Sequence, residues 1–171
     1  MKRIFYSLCL ALICLSASAQ KQLSIEVLGH RGARHELDEN TLSAFQTAYK
    51  NGVRSFETDI RLTADGELVI MHDASLKRTC GVDVIVEEST RQQLKGYKSL
   101  KGNEVLFIDE LTAFFAPRQI RYIEWEMKSK SYTPEQLKVY CDKLYKAVMP
   151  SKPASATYVF SSFDTRALET M

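Results

Sequence analysis

The stretch Val53-Arg54-Ser55-Phe56-Glu57-Thr58-Asp59-Ile60 decides how this chain is read. It lies between Gly52 and the turn signal Ala64-Asp65-Gly66, and its composition predicts a strand. Side chains at i and i+2 of a strand point to one face, so Glu57 and Asp59 stand together. Two adjacent carboxylates repel each other unless something positive lies between them. Taken alone, such a pair is either a solvated face or one wall of a site. The neighbouring segments choose between the two.

Upstream, Ile25–Gly29 predicts a strand that ends in Gly29-His30-Arg31-Gly32. Downstream, Leu68–Met71 predicts another, followed by His72-Asp73. The link between Ile60 and Leu68 is too short for a crossover helix, so these two strands form a hairpin-like pair or a tight arch. A fourth strand, Arg121–Met127, carries Glu124-Trp125-Glu126-Met127-Lys128, in which Glu126 and Lys128 share a face. A fifth is Thr157–Ser162.

Helical patterns fall between the strands. Leu42, Phe45, Ala48 and Tyr49 share a face, with Asn40 or Thr41 as N-cap and Gly52 as terminator. Ala74–Val105 reads as mostly polar, with one short helix near Ser89–Lys95. Asp109 is expected to cap a helix through Leu111, Phe114 and Phe115 that Pro117 stops. The strongest helix follows. Thr133 caps it, Pro134 takes the first position, and Gln136 completes a capping box. Leu137, Tyr140, Cys141, Leu144 and Val148 form its apolar face. This order predicts an α/β protein with a mainly parallel sheet. A doubly wound sheet and a (β/α)8 barrel both begin this way. The ionisable groups at four strand ends favour the barrel, whose sites are built at the C-terminal ends of its strands.

The grouped residues specify a chemistry. Clustered carboxylates call for a hard divalent cation, and an all-oxygen shell suits Ca2+ or Mg2+ better than Zn2+. Arg31, with its bidentate fork, and Lys128, as a point charge, would hold a phosphate beside that ion. His30 and His72 can serve as base and acid across a phosphoryl displacement. The inventory reads as metal-assisted phosphodiester cleavage. His35 lies in a polar loop and is given no role, and Trp125 is expected to pack between sheet and helices.

The chain has 171 residues, with 23 Lys and Arg against 21 Asp and Glu. Its start is a separate unit. Lys2 and Arg3 precede the apolar run Ile4–Leu15, and Ala17-Ser18-Ala19 supplies a small-residue cleavage site. This is the layout of a secretory signal peptide over residues 1–19, too short and wrongly flanked for a permanent membrane span. Export to the periplasm or medium is the expectation. Residues 20–171 form one domain, in which basic and acidic residues balance once Lys2 and Arg3 are removed. That balance excludes nucleic-acid binding driven by bulk charge. Cys80 and Cys141, 61 positions apart, do not make a disulfide scaffold and are read as unpaired.

These residues resemble the glycerophosphodiester phosphodiesterases, a family with a PLC-like barrel. The likeness runs through His30-Arg31-Gly32, Glu39-Asn40-Thr41, Glu57-Thr58-Asp59, Leu62–Gly66, His72-Asp73, Arg78-Thr79, Ile123–Lys128 and Ser162-Phe163-Asp164. The resemblance implies a TIM-type (β/α)8 barrel and hydrolysis of small glycerophosphodiesters to glycerol 3-phosphate and an alcohol. It implies His30 and His72 as the acid–base pair. It gives Glu57, Asp59 and Glu126 the divalent metal, and Arg31 and Lys128 the phosphate. A non-catalytic metal- or phosphate-binding remnant is the alternative. Zinc amidohydrolases want His-x-His where this chain has His-Arg-Gly. Asp38 and Glu124 stand where the family tends to have proline and asparagine, and Glu124 is expected to add negative charge beside the metal. Since a complete barrel takes about 250 residues, the sequence is expected to be the N-terminal part of one, cut after about five strands.

Overall fold

The computed structural model describes residues 25–171. The segment 1–19, expected to be a signal peptide, lies outside the described residues. Five strands form one sheet: β1 (Leu28–His30), β2 (Ser55–Leu62), β3 (Leu68–Ile70), β4 (Tyr122–Met127) and β5 (Thr157–Ser161). β2 runs parallel to β1 and β4, and β4 parallel to β5; β3 is antiparallel to β2. Among the described residues, six α-helices accompany them: α1 (Leu42–Lys50), α2 (Lys77–Cys80), α3 (Arg91–Lys95), α4 (Ile108–Phe115), α5 (Pro134–Val148) and α6 (Thr165–Thr170), with a 3-10 turn at Val86–Glu88. The order is that of an α/β protein with an alternating, mainly parallel sheet, as the sequence predicts.

β2 is the axis of the site. It begins two residues later than the pattern predicts and ends two residues later, because Arg61 and Leu62 continue the strand as partners of Val69 and Leu68. The Arg31 N–H donates to the Glu57 carbonyl, and the Met71 N–H to the Asp59 carbonyl. β1 and β3 therefore occupy the same edge of β2 in succession. This places His30, at the end of β1, and His72, just after β3, along one edge of the acidic strand. The hairpin closes where the Thr63 N–H donates to the Glu67 carbonyl, with Gly66 at φ +77°.

One sheet face packs under the helices. Phe56, Ile60, Ile123, Trp125 and Met127 are all buried in it, against Phe45 of α1, Phe115 of α4 and the apolar face of α5. Trp125 stacks edge-on to Phe115 and Tyr158, as its expected packing role requires. α5 forms as predicted, with Thr133, Pro134 and Gln136 at its N-terminus and Leu137, Tyr140, Cys141, Leu144 and Val148 buried. The register puts His30, Glu57 and Glu124 side by side on the other face, with Asp59 beside Glu126.

Two expectations are corrected. Phe107, not Asp109, precedes α4, and the Glu110 carboxylate accepts the Phe107 N–H at 2.9 Å. Asp109 lies in the first turn, where its carboxylate takes the Arg91 guanidinium at 2.8 Å. Ala74–Val105 is no plain polar excursion either. Val69, Met71, Leu76, Val86, Leu94, Val105 and Phe107 form a second small core beneath it, and the helix near Ser89–Lys95 spans Arg91–Lys95. That small core fixes α2, whose Arg78 reaches the site. Cys80 and Cys141 are both free.

Candidate active site

Gly32 makes the His30-Arg31 turn fit. Its φ is +76°, and a Cβ there would lie 2.8 Å from the backbone carbonyl carbon of Ala44. Only glycine tolerates that approach of α1. The preceding Arg31 is itself left-handed, at φ +56°, a conformation that costs free energy for a side-chain-bearing residue. It aims the Arg31 N–H at Glu57 Oε2, 3.1 Å away.

Glu57, Asp59 and Glu126 converge as the resemblance implies: one oxygen of each lies within 4.8 Å of the others. Asp59 is wholly buried. Its Oδ2 accepts from Asn40 Nδ2 at 2.8 Å and pairs with Arg31 Nε at 3.0 Å. Its Oδ1 faces Lys128 Nζ at 3.1 Å, and the same ammonium pairs with Glu126. Glu57 is 5% exposed, and its Oε1 has no hydrogen-bond partner among the described residues. Burial first, then the Asp59 charge, pushes its carboxyl up to about 8. A buried acceptor without a donor, beside two further carboxylates, is the environment a hard cation fits, and all three donors are oxygens. The residues fit the metal.

His30 Nε2 lies 3.4 Å from Glu57 Oε2. Burial, then the Arg31 and Arg34 guanidiniums, hold this imidazole below its ordinary value. His72 Nδ1 is 2.6 Å from Asp73 Oδ1. Lys128 and Glu126 also line a cavity of about 350 Å³ at the C-terminal end of β4, with Arg61, Ser129, Lys130 and the exposed Phe163. All seven residues singled out from the sequence thus lie on β1, β2, β4 or the segments that leave β1, β3 and β4.

Glu124 does not join the carboxylate cluster. Its Oε1 accepts from Ser161 Oγ at 2.7 Å and its Oε2 from the Tyr122 hydroxyl at 3.1 Å. The extra carboxylate stands two register positions before Glu126, engaged by those hydroxyls.

The motif pattern left four residues of this site without a role: Glu39, Asn40, Asp73 and Arg78. Asn40, left-handed at φ +57°, spends its amide on Asp59 and accepts from Thr58 Oγ1 at 3.1 Å. Glu39 pairs with Arg31 Nη1 at 3.0 Å and with Arg78 Nη2 at 2.7 Å. All four stand in segments that carry the family resemblance, Glu39-Asn40-Thr41, His72-Asp73 and Arg78-Thr79, but the motifs by themselves name no contact for them.

Comparison with known proteins places this geometry. Residues 30–171 match the model of the glycerophosphoryl diester phosphodiesterase family. A glycerophosphodiester phosphodiesterase of Bacillus altitudinis is 29% identical over 114 residues, 63% of this chain and 46% of that protein. The solved glycerophosphodiester phosphodiesterase of Thermotoga maritima superimposes with a TM-score of 0.65 at 29% identity, over 86% of this chain and 58% of its own. An Oleispira antarctica phosphodiesterase, solved with the product sn-glycerol-3-phosphate, shares the fold with a TM-score of 0.76 at 23% identity, over 85% of this chain and 60% of its own. The chain therefore spans about half to three fifths of the length of these relatives.

Proposed function

Since the chain belongs to the glycerophosphoryl diester phosphodiesterase family, we propose that it hydrolyses glycerophosphodiesters to glycerol 3-phosphate and an alcohol. The observation that carries this reading is the convergence of Glu57, Asp59 and Glu126 between Arg31 and Lys128 on one sheet face. Glu57, Asp59 and Glu126 would hold one divalent cation, Ca2+ or Mg2+. When bound, that ion supplies Lewis-acid stabilisation of the charge that builds on the phosphoryl oxygens.

The protein's own groups do the rest. Arg31 and Lys128 bind the phosphate, their side chains aimed by the ion pairs to Asp59, Glu39 and Glu126. One of His30 and His72 takes the proton of the attacking oxygen, and the other returns a proton to the leaving alcohol as the P–O bond breaks. That oxygen is either water, which gives glycerol 3-phosphate directly, or the substrate's own 2-hydroxyl, whose cyclic phosphate water then opens to the same product. No helix among the described residues is long and apolar enough to cross a membrane. Export rests on the leader over residues 1–19 and is part of the proposal.

The test is a coupled assay of glycerol 3-phosphate release from glycerophosphocholine. Turnover should vanish in EDTA and return with Ca2+ or Mg2+. Full turnover in excess chelator would refute the metal assignment. Metal binding without turnover under any condition would favour the non-catalytic remnant.

A further inference from the structure

A chain of alternating charges leads from the acidic cluster to His72. Asp59 pairs with Arg31, and Arg31 Nη1 with Glu39 Oε1. Arg78 grips Glu39 with both terminal nitrogens, Nη2 to Oε1 at 2.7 Å and Nη1 to Oε2 at 2.9 Å. Its Nε donates to Asp73 Oδ2 at 2.6 Å, and Asp73 Oδ1 faces His72 Nδ1 at 2.6 Å. Glu39 and Arg78 are 39 residues apart, and Arg78 sits on a four-residue helix that the small core beneath Ala74–Val105 holds in place.

We propose that Arg78 is a positioning residue for His72: by clamping Asp73 with Nε and Glu39 with its fork, it fixes the imidazole with the proton on Nδ1 and Nε2 left for the reaction. The inference rests on the reading of His72 as an acid–base group given above. Its physical content is an acceptor argument. An ionised carboxylate can only accept, so the nitrogen facing Asp73 must carry hydrogen. Asp73 is held ionised first by the Arg78 hydrogen bond, which with the His72 contact takes its carboxyl down to about 2. The planar fork matters because one group must serve two carboxylates at a fixed angle, which a lysine ammonium does not do. Arg78 also ties the orientation of His72 to that of Arg31, since both guanidiniums share Glu39. His72 and the phosphate-binding Arg31 are thereby set by one carboxylate.

The experiment uses the purified, metal-loaded enzyme and four variants: His72→Ala, Asp73→Asn, Arg78→Ala and Arg78→Lys. In Asp73→Asn the amide oxygen stays with Arg78 Nε, so the NH2 turns to His72 Nδ1 and drives its proton to Nε2. We expect kcat to fall about 10²-fold there and about 10-fold or more in Arg78→Ala, with KM changed less than about 3-fold. Arg78→Lys should not restore kcat, whereas millimolar guanidinium should partly rescue Arg78→Ala. The 15N and 1H correlations of the His72 ring should report a proton on Nδ1 in the parent protein and on Nε2 in Asp73→Asn. Arg78 is half exposed, so its removal leaves the core intact; should Arg78→Ala fail to fold, Asp73→Asn and Arg78→Lys carry the same test. Parent kcat in both Arg78→Ala and Asp73→Asn, with His72→Ala inactive, would overturn this proposal alone. Parent kcat in His72→Ala would overturn both it and the acid–base reading. A rise in KM with kcat kept in Arg78→Ala would make Arg78 a substrate-binding residue and overturn the positioning role.

Discussion

Replacing Gly32 by alanine should damage both stability and catalysis, and the size of the effect follows from the local geometry. The new Cβ would stand 2.8 Å from the Ala44 carbonyl carbon, 2.9 Å from its Cβ and 2.9 Å from the Phe45 nitrogen. These are backbone or near-backbone atoms of α1, so no side chain can rotate away to make room. Left-handed backbone costs an alanine about 1–2 kcal/mol. Forcing a methyl into packed surroundings costs about 1–3 kcal/mol more. The lower entropy of the unfolded alanine chain returns about 0.4–1 kcal/mol. The net is a loss of about 1–4.6 kcal/mol, centred near 3, or roughly 6–12 °C in Tm at that centre for a chain of this size. Relief by backbone movement would carry Arg31 away from Glu57 and Asp59, and a shift of about 1 Å at such a group is expected to cost about 10²-fold in turnover. Gly102→Ala is the control. Gly102 is also left-handed, at φ +85°, but a Cβ there meets nothing within 4 Å, so after the same entropy return it should lose only about 0–1.6 kcal/mol and keep its activity. Thermal melts followed by circular dichroism, with the glycerol 3-phosphate assay, measure both quantities. Equal melting temperatures for the two variants, with parent kcat in Gly32→Ala, would refute the steric argument.

Metal-free protein should lose stability as pH rises. The folded Glu57 carboxyl is raised from 4.5 to about 8, so between those values the native state holds a proton that the unfolded chain has released. Stability then falls across that window, by up to about 5 kcal/mol at about 1.36 kcal/mol per pH unit. Urea midpoints in EDTA at pH 5 and pH 8.5 test the sign, and Glu57→Gln should flatten the slope; a rising midpoint would contradict it. His30→Ala and His72→Ala should each lower kcat at least about 10²-fold while Ca2+ or Mg2+ binding by calorimetry is largely kept. Parent turnover in either variant would demote that histidine. The exported protein should begin at Gln20, and sequencing that returned Met1 would contradict cleavage after Ala19.

Much of the site is legible in the sequence because it depends on period-two geometry alone. Glu57 and Asp59 share a face because both lie in β2, and Glu126 and Lys128 do so because Lys128, the residue just after β4, still donates its N–H across to the Ile60 carbonyl. Thr133, Pro134 and Gln136 specify the start of α5 by hydrogen bonds that span three residues, so that helix is also readable. Asp109 shows the limit of such local signals. A carboxylate near a helix start can cap it or sit inside its first turn, and the nearby Arg91 guanidinium holds it in the second place. Glu124 shows the same limit, since strand parity sets its face while Ser161 on the neighbouring strand takes its carboxylate.

The convergence of Glu57, Asp59 and Glu126 follows from the family resemblance and the pairing of β2 with β4. The sequence by itself determined the alternating α/β order, the acidic strand and the histidines at strand ends. Each follows from short-range periodicity or from residue chemistry. Only the tertiary structure decided that β1 and β3 share one edge of β2, that Asn40 serves Asp59, and that Glu39 joins Arg31 to Arg78. Those contacts join residues 8 to 39 positions apart across a segment with its own small core. The Arg78 contact is set by how that core holds α2 and the others by how the sheet packs with α1, and packing is a property of the folded chain that no local pattern encodes.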